Sequence, residues 1–347
     1  MKLNDIPKAV AAFHSAGRVV GFFGAPGLGK TALVREGAQK MSASLGKPVA
    51  VAELHLASMS EVDIRGYLIP NGNESTFTEP PFWNVVKAHE YGVLFLDEFV
   101  QGAHEVQKAC APLLLDRRIG DYQLPPGWSV VLAGNRIEDN AGANSLLSHV
   151  LNRIAYVEIE ADIEGWIAWG ARQGLDPLLL AFAKLRPGTV FSGEPPVGDT
   201  PWCTPRSLHA LDDVAKSYGG VRAMLMSGSD SGREIAAGLV GKTAAHEIAA
   251  IIATADLLPS YEAIIKDPTK IKLPTAMDAK YVALTMVAMR AEKDDSKPVV
   301  QYITRFDPNF ALIGMVMLIQ RMPQAAVHAA KWVQDNAALL GEYRRFL

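Results

Sequence analysis

"GFFGAPGLGKTALV", residues 21–34, decides how this chain is read. A short apolar run stops at Gly24. Gly27 and Gly29 follow, and Lys30 and Thr31 open a stretch with helical spacing. Gly24-x-x-x-x-Gly29-Lys30-Thr31 is the spacing of a phosphate-binding loop placed between a strand and a helix. The glycines let the loop from Gly24 through Ala25, Pro26, Gly27, Leu28 and Gly29 turn backbone N–H groups inward. The helix opening at Lys30, Thr31 and Ala32 offers its positive end to an anion. In this reading ATP is the ligand. Lys30 reaches its β- and γ-phosphates, and Thr31 holds Mg2+. A later "GLVGKT" (238–243) lacks the four-residue gap and sits in a helical pattern, so it reads as structure.

Two further apolar segments give the loop a chemical setting. "VLFLDE" (93–98) is a strand covered on both faces, ending in Asp97 and Glu98. Ligands of open α/β sheets sit at such carboxyl ends. Asp97 binds Mg2+ there, directly or through water, and Glu98 polarises the water that attacks the γ-phosphate. That pair argues for hydrolysis rather than transfer to a small acceptor. "VVLAGNR" (130–136) ends in Asn135, whose amide can orient the attacking water. An Asn at a strand end is otherwise a common turn residue. Its order after the acidic strand is what gives it weight.

Strands alternate with helices from the N-terminus to Glu160, the pattern of a doubly wound parallel sheet with helices on both faces. The expected organisation is an α/β nucleotide-binding domain over 1–161, an all-α lid over 162–257 and a helical extension over 258–347. Residues 57–83 have little periodicity and many Asn, Gly and Pro residues, so they read as a long, functional loop. "IGDYQLPPGW" (119–128) is hairpin-like. Residues 186–202 read as a Gly/Pro-rich loop between helices, and 258–274 as a break in the C-terminal helical pattern.

This order of parts resembles the AAA+ ATPases over residues 18 to about 218, and within them the MoxR-like group. The likeness rests on "SEVDIRGY", "STFTEPPFW", "EVQKACAPLLLDRRIGDYQLP", "SLLSHVLNRI" and "TPRSL". Asn152, Ile154 and Arg136 stand where that group usually has an acid, an aromatic residue and proline. The resemblance implies that Asn135 is sensor 1 and Arg206 sensor 2, the latter on a helix capped by Thr204 with Pro205 in its first turn. It implies that Arg153 is the arginine finger completing a neighbouring subunit's site, with Arg117, Arg118 and Arg136 as alternatives. It further implies a homo-oligomeric ring, a hexamer, that remodels a partner protein, possessing as its partner a von Willebrand factor A-like protein from a separate chain. The segment 57–83 and the hairpin around Tyr122 face that substrate or partner. Phe77, Phe82 and Trp83 either pack beneath these loops or grip a polypeptide.

Composition narrows the alternatives. Net charge is −3, with 49% hydrophobic and 20% charged residues, so no global basic field points to nucleic acid. A DNA-associated motor or loader, with loops tracking a phosphate backbone, is the less favoured second reading. A nucleotide-gated switch with little turnover is the third, and Glu98 argues against it. The two cysteines, Cys110 and Cys203, suit a reducing cytoplasm. No signal peptide pattern opens the chain, and the longest apolar run, 310–319, is too short to span a bilayer. No His-Glu pair is followed by the second histidine of a zinc-protease helix.

Overall fold

The computed structural model describes residues 1–136, 144–192, 196, 199–226 and 230–337. They form two compact units that meet in sequence at 162/163. In the first, helix α1 (Ile6–Ser15) precedes β1 (Val20–Phe23), and α2 (Lys30–Leu45) precedes β2 (Val49–His55). The short α3 (Glu61–Arg65), the hairpin β3 (Leu68–Asn71) and β4 (Glu74–Phe77), and α4 (Trp83–Ala88) follow. Next come β5 (Tyr91–Asp97), α5 (His104–Asp116), a second hairpin of β6 (Arg118–Ile119) and β7 (Tyr122–Gln123), and β8 (Trp128–Gly134). The unit ends with α6 (Ser148–Leu151) and β9 (Ala155–Glu158).

Five strands make one parallel sheet in the order β2-β5-β8-β1-β9. Burial follows position. β8 is buried throughout and β5 from Gly92 onward, whereas the edge strands β2 and β9 alternate. A central parallel strand is covered on both faces and must be apolar throughout, but an edge strand need not be. The order sets the carboxyl ends of β1, β5 and β8 side by side, so the loops after them share one rim. On one face α1 and α2 cross closely at Gly37, where a Cβ would come 3.1 Å from Val10 Cβ and 3.2 Å from the Pro7 Cα.

The segment 57–83, expected as an irregular loop, is instead built around α3 and the β3–β4 hairpin. Ser60 and Asp63 cap α3 reciprocally, with Ser60 N–H donating to Asp63 Oδ2 at 2.8 Å. The hairpin turns at Gly72 and Asn73, with Gly72 at φ +63°, a turn chemistry that short hairpins favour. Alternation across four-residue strands is too brief to stand out from turn residues, which hid the hairpin in the sequence. The two hairpins lock together. Phe77 N–H donates to Asp121 Oδ2 at 3.1 Å, and Tyr122 O–H donates to Phe77 O at 3.0 Å.

The second unit is helical. It comprises α7 (Ile163–Gln173), α8 (Pro177–Leu185), α9 (Pro187–Phe191), α10 (Pro205–Lys216), α11 (Val221–Met226) and α12 (Asp230–Val240). It continues with α13 (Lys242–Asp256), α14 (Tyr261–Lys266), α15 (Met277–Arg290), α16 (Ser296–Ile303), α17 (Pro308–Arg321) and α18 (Ala326–Asp335). The loop expected over 186–202 thus begins with a helical turn, because Pro187 starts a helix well at its first position. The rest of that stretch lies partly outside the described residues. Helices on both sides of position 258 share one core, from Trp166 and Phe182 through Ile248 and Leu284 to Leu318 and Ala329. Lys242–Lys266 is apolar enough by length and composition to cross a membrane, with mean hydropathy 1.5. It is divided here between α13 and α14, and α13 buries Ile248 and Ile252 in the core. At about 1.5 Å per residue α13 alone falls short of a bilayer core.

Candidate functional site at the carboxyl ends of the sheet

The loop after β1 is held from both sides. Gly24 N–H donates to Gly134 O at 3.2 Å, and a Cβ on Gly24 would come 2.7 Å from Ile159 O. The loop therefore begins in a slot between β8 and the end of β9 that only glycine fits. Ala25 and Leu28 are buried, Pro26 and Gly27 half-buried, and Ala32 exposed on the first turn of α2. Gly29 caps α2 at φ +98°, a conformation that side chains rarely adopt, and a Cβ there meets nothing within 4 Å. The helix dipole thus ends at a rim with open space beside it, suited to phosphate.

Lys30 is buried and its ammonium is anchored. It donates to Gly24 O at 2.6 Å, Ala25 O at 2.8 Å and Asn135 Oδ1 at 3.2 Å. Sensor 1, as implied by resemblance, touches the loop lysine directly. Thr31 Oγ1 donates to Asp97 Oδ2 at 2.6 Å, so the hydroxyl and carboxylate expected to share a cation are already adjacent. Both are hard oxygen donors beside a phosphate-type loop, the donor set Mg2+ favours while keeping several waters. These residues fit Mg2+ and ATP.

Glu98 follows with φ +54°, one of two non-glycine residues with positive φ among the described residues. Its N–H donates to Asp97 Oδ1 at 2.9 Å, and its carbonyl accepts from Gln101 N–H at 3.0 Å and Gly102 N–H at 3.1 Å. Next to it Phe99 is fully buried and its N–H donates to Ala133 O at 2.9 Å. Anchoring Phe99 in the core forces the turn into Glu98, whose side chain is exposed at the rim. Strained non-glycine residues of this kind cluster at functional sites.

The expected arginines separate. Arg117 donates to Pro125 O at 2.7 Å and Trp128 O at 2.5 Å, tying the β6–β7 hairpin to the base of β8. Those bonds give it a structural task. Arg153 makes one long bond, donating to Ala111 O at 3.3 Å on α5. Arg118 is exposed, and Arg136 is half-buried with interactions of its own. Arg206 belongs to the second unit and is exposed on the first turn of α10. Thr204 caps that helix by accepting from Ser207 N–H at 3.1 Å, with Pro205 at the first position as expected.

Two groups escaped the sequence reading. Trp83 is buried against Tyr122, with ring centroids 5.5 Å apart, and the Arg65 guanidinium covers the Phe77 ring at 5.8 Å. The aromatics weighed as possible grips are therefore packed. Within residues 57–83 the exposed large apolar residues are Tyr67 (63%), Leu68 (58%) and Ile69 (49%) at the start of the β3–β4 hairpin. Their consecutive run within a turn-rich segment was the available signal. Glu53 and His55, near the end of β2, lie beside Asp97, and the alternation of an edge strand was their signal. The two cysteines are free, and burial raises each thiol to about 12, so neither supplies a thiolate.

Residues 20–154 match the AAA domain family of the dynein-related subfamily. No curated protein matches the chain. Similar solved structures include the Thermotoga maritima RuvB Holliday junction branch migration motor, with 18% identity over 71% of this chain and 67% of that one, and a TM-score of 0.36. NtrX from Brucella abortus in complex with ADP is 14% identical over 99% of this chain and 67% of that one, with a TM-score of 0.40. Hsp104 with ATPγS and casein is 20% identical over 46% of this chain and 33% of that one, with a TM-score of 0.32. With the phosphate-type loop, the acidic strand end and the polar end of β8 on one rim, residues 20–154 of this chain are similar to an AAA domain in both sequence and sheet order.

Proposed function

We propose that the chain is an ATP-hydrolysing AAA+ protein of MoxR-like type that works on a partner protein. The observation that carries the reading is one constellation. Lys30 bonds Asn135 at 3.2 Å while Thr31 bonds Asp97 at 2.6 Å. The loop backbone and Lys30 bind the phosphates, and Thr31 and Asp97 would hold Mg2+. Bound there, that ion neutralises charge on the β- and γ-phosphate oxygens. Glu98, exposed at the rim, accepts a proton from the attacking water, and Asn135 orients that water. Arg206 is proposed to respond to the γ-phosphate as sensor 2. Arg153 is proposed to stabilise charge in a neighbouring subunit's site.

This division of labour requires a ring, for which we propose six subunits in the cytoplasm. The helices from 162 to 257 act as the lid in this proposal, and those from 258 onward move with them because the core is shared. The exposed Tyr67, Leu68 and Ile69 support a protein-facing role for the first hairpin, and the partner we propose is a von Willebrand factor A-like protein. The test is solution mass by light scattering on Glu98→Gln, with and without ATP, beside steady-state ATP turnover of wild type and Lys30→Ala. A nucleotide-dependent assembly of about six subunits and turnover lost in Lys30→Ala are the expected results. Turnover that survives Lys30→Ala would end the catalytic reading, and a monomer under saturating ATP would end the shared site.

A further inference from the structure

We infer that Glu53, His55 and Asp97 form a second metal site, for a divalent cation of the zinc class, that shares Asp97 with the catalytic cation. Strands β2 and β5 pair in parallel with His55 opposite Asp97, and Glu53 lies two residues back on the same face of β2. One donor atom from each residue falls within 4.8 Å of the other two. The cluster mixes one imidazole with two carboxylates taken from two strands, so it is not a simple acidic patch.

A second observation points to a ligand. Glu53 is nearly buried, with 14% of its side chain exposed. Arg35 grips its Oε2 through Nε at 2.9 Å and a terminal nitrogen at 2.6 Å. Oε1 is buried and receives no hydrogen bond, although His55 Nε2 lies 3.3 Å away. A buried carboxylate oxygen without a donor is costly, and a metal ion would satisfy it.

The donor types select the metal. The Arg35 cation penalises every ion placed here, so a weakly held, strongly hydrated Mg2+ gains little from the site. Imidazole nitrogen favours zinc, cobalt, nickel or copper, in that family's usual order. Three protein ligands leave a fourth position for water in a four-coordinate zinc site, and 55% of the His55 side chain is exposed to supply it. Asp97 Oδ2 already accepts from Thr31 and Oδ1 from Glu98 N–H, so a metal would take a second lone pair on one of these oxygens. A zinc-class ion drawing on that carboxylate competes with the cation that Thr31 and Asp97 are proposed to hold. The consequence is inhibition by trace metal, a claim that rests on the proposed ATPase reading. The binding itself does not.

The test is a titration of Co2+ into tag-free, nucleotide-free full-length protein, read by visible absorption and followed by displacement with Zn2+. One equivalent should bind. His55→Ala and Glu53→Gln should each weaken binding by about tenfold or more, with unchanged thermal melts. His55→Asn, which keeps a polar side chain of similar reach, should lose binding as well and covers the case of a misfolded alanine variant. Asp97→Asn should also weaken it. Binding that is absent from the wild type, or that survives in both His55 variants, overturns the proposal. Absence of ATP turnover would leave this titration unaffected, so the two readings fail separately.

Discussion

Lys30 Nζ lies 3.2 Å from Asn135 Oδ1, joining residues 105 positions apart. The contact aligns the end of β8 with the loop after β1, and it adds holding the lysine to the water-orienting role proposed for Asn135. Asn135→Ala should therefore lower turnover by about 100-fold, the scale of losing one positioned polar group. ATP affinity should change far less, because the loop backbone and both carbonyl anchors of Lys30 persist. Equal losses in affinity and turnover, measured by equilibrium nucleotide binding and steady-state kinetics, would contradict this.

Glu98 combines a strained backbone with the carboxylate proposed to act on the attacking water. Its φ of +54° is tolerated better by asparagine than by glutamate. Glu98→Asn should raise stability by on the order of 1 kcal/mol and cut turnover by about 10²–10⁴-fold. Urea unfolding paired with an ATPase assay checks both. A variant that is both less stable and inactive would show that the carboxylate, not the strain, dominates at this position.

The two glycine-rich stretches should respond in opposite ways. Gly24→Ala drives a Cβ to 2.7 Å from the backbone oxygen of Ile159, which cannot move without disturbing the end of β9. A loss of about 1–3 kcal/mol and of turnover is expected. Gly238 lies inside α12, and a Cβ there meets nothing within 4 Å. Gly238→Ala should stabilise by about 0.5–1 kcal/mol with turnover unchanged. Thermal melts of the two variants make the comparison.

Arg117 and Arg153 should separate by phenotype. Arg117→Ala leaves the Pro125 and Trp128 carbonyls without their donor, at a cost of about 1–3 kcal/mol. Arg153→Ala gives up one bond of 3.3 Å, so stability should hardly change while turnover falls. Mixing Arg153→Ala with Glu98→Gln subunits should restore part of the turnover if the residue acts across a subunit boundary. No restoration in the mixture counts against that role.

His14 contributes a pH dependence. Burial, then the nearby Arg117 charge, lowers its pKa from 6.5, and Nδ1 lies 3.0 Å from Ser129 Oγ. The folded state thus prefers the neutral imidazole, and the unfolded state binds a proton first. The stability it contributes is present above pH 6.5 and is lost as pH falls through the lowered folded value. Melting temperature should drop on acidification below that point, and His14→Gln should flatten the slope. An unchanged slope would reject the assignment.

Much of the fold was legible because its signals are local. The run 93–96 reads as a central strand from its unbroken apolar character, and 31–45 as a helix from the glycine-rich loop before it. The first hairpin was not legible, since strands of four residues leave too little alternation beside Pro70, Gly72 and Asn73. Trp83 and Tyr67 show the same limit. Both are aromatic residues in one loop-like segment, yet one packs on Tyr122 and the other is 63% exposed. Burial of an isolated aromatic depends on what the chain brings over it, and spacing carries no trace of that.

By itself the sequence determined the phosphate-type loop, the acidic strand end and the polar end of β8. Each is written in consecutive residues and obeys steric and hydrophobic rules that act within a few positions. The tertiary structure alone decided that Lys30 meets Asn135, that Thr31 meets Asp97, that Arg117 serves the hairpin and that His55 lies opposite Asp97. Those pairings follow from strand order and register. A parallel sheet fixes both through burial and backbone hydrogen bonds between segments that are distant in the chain.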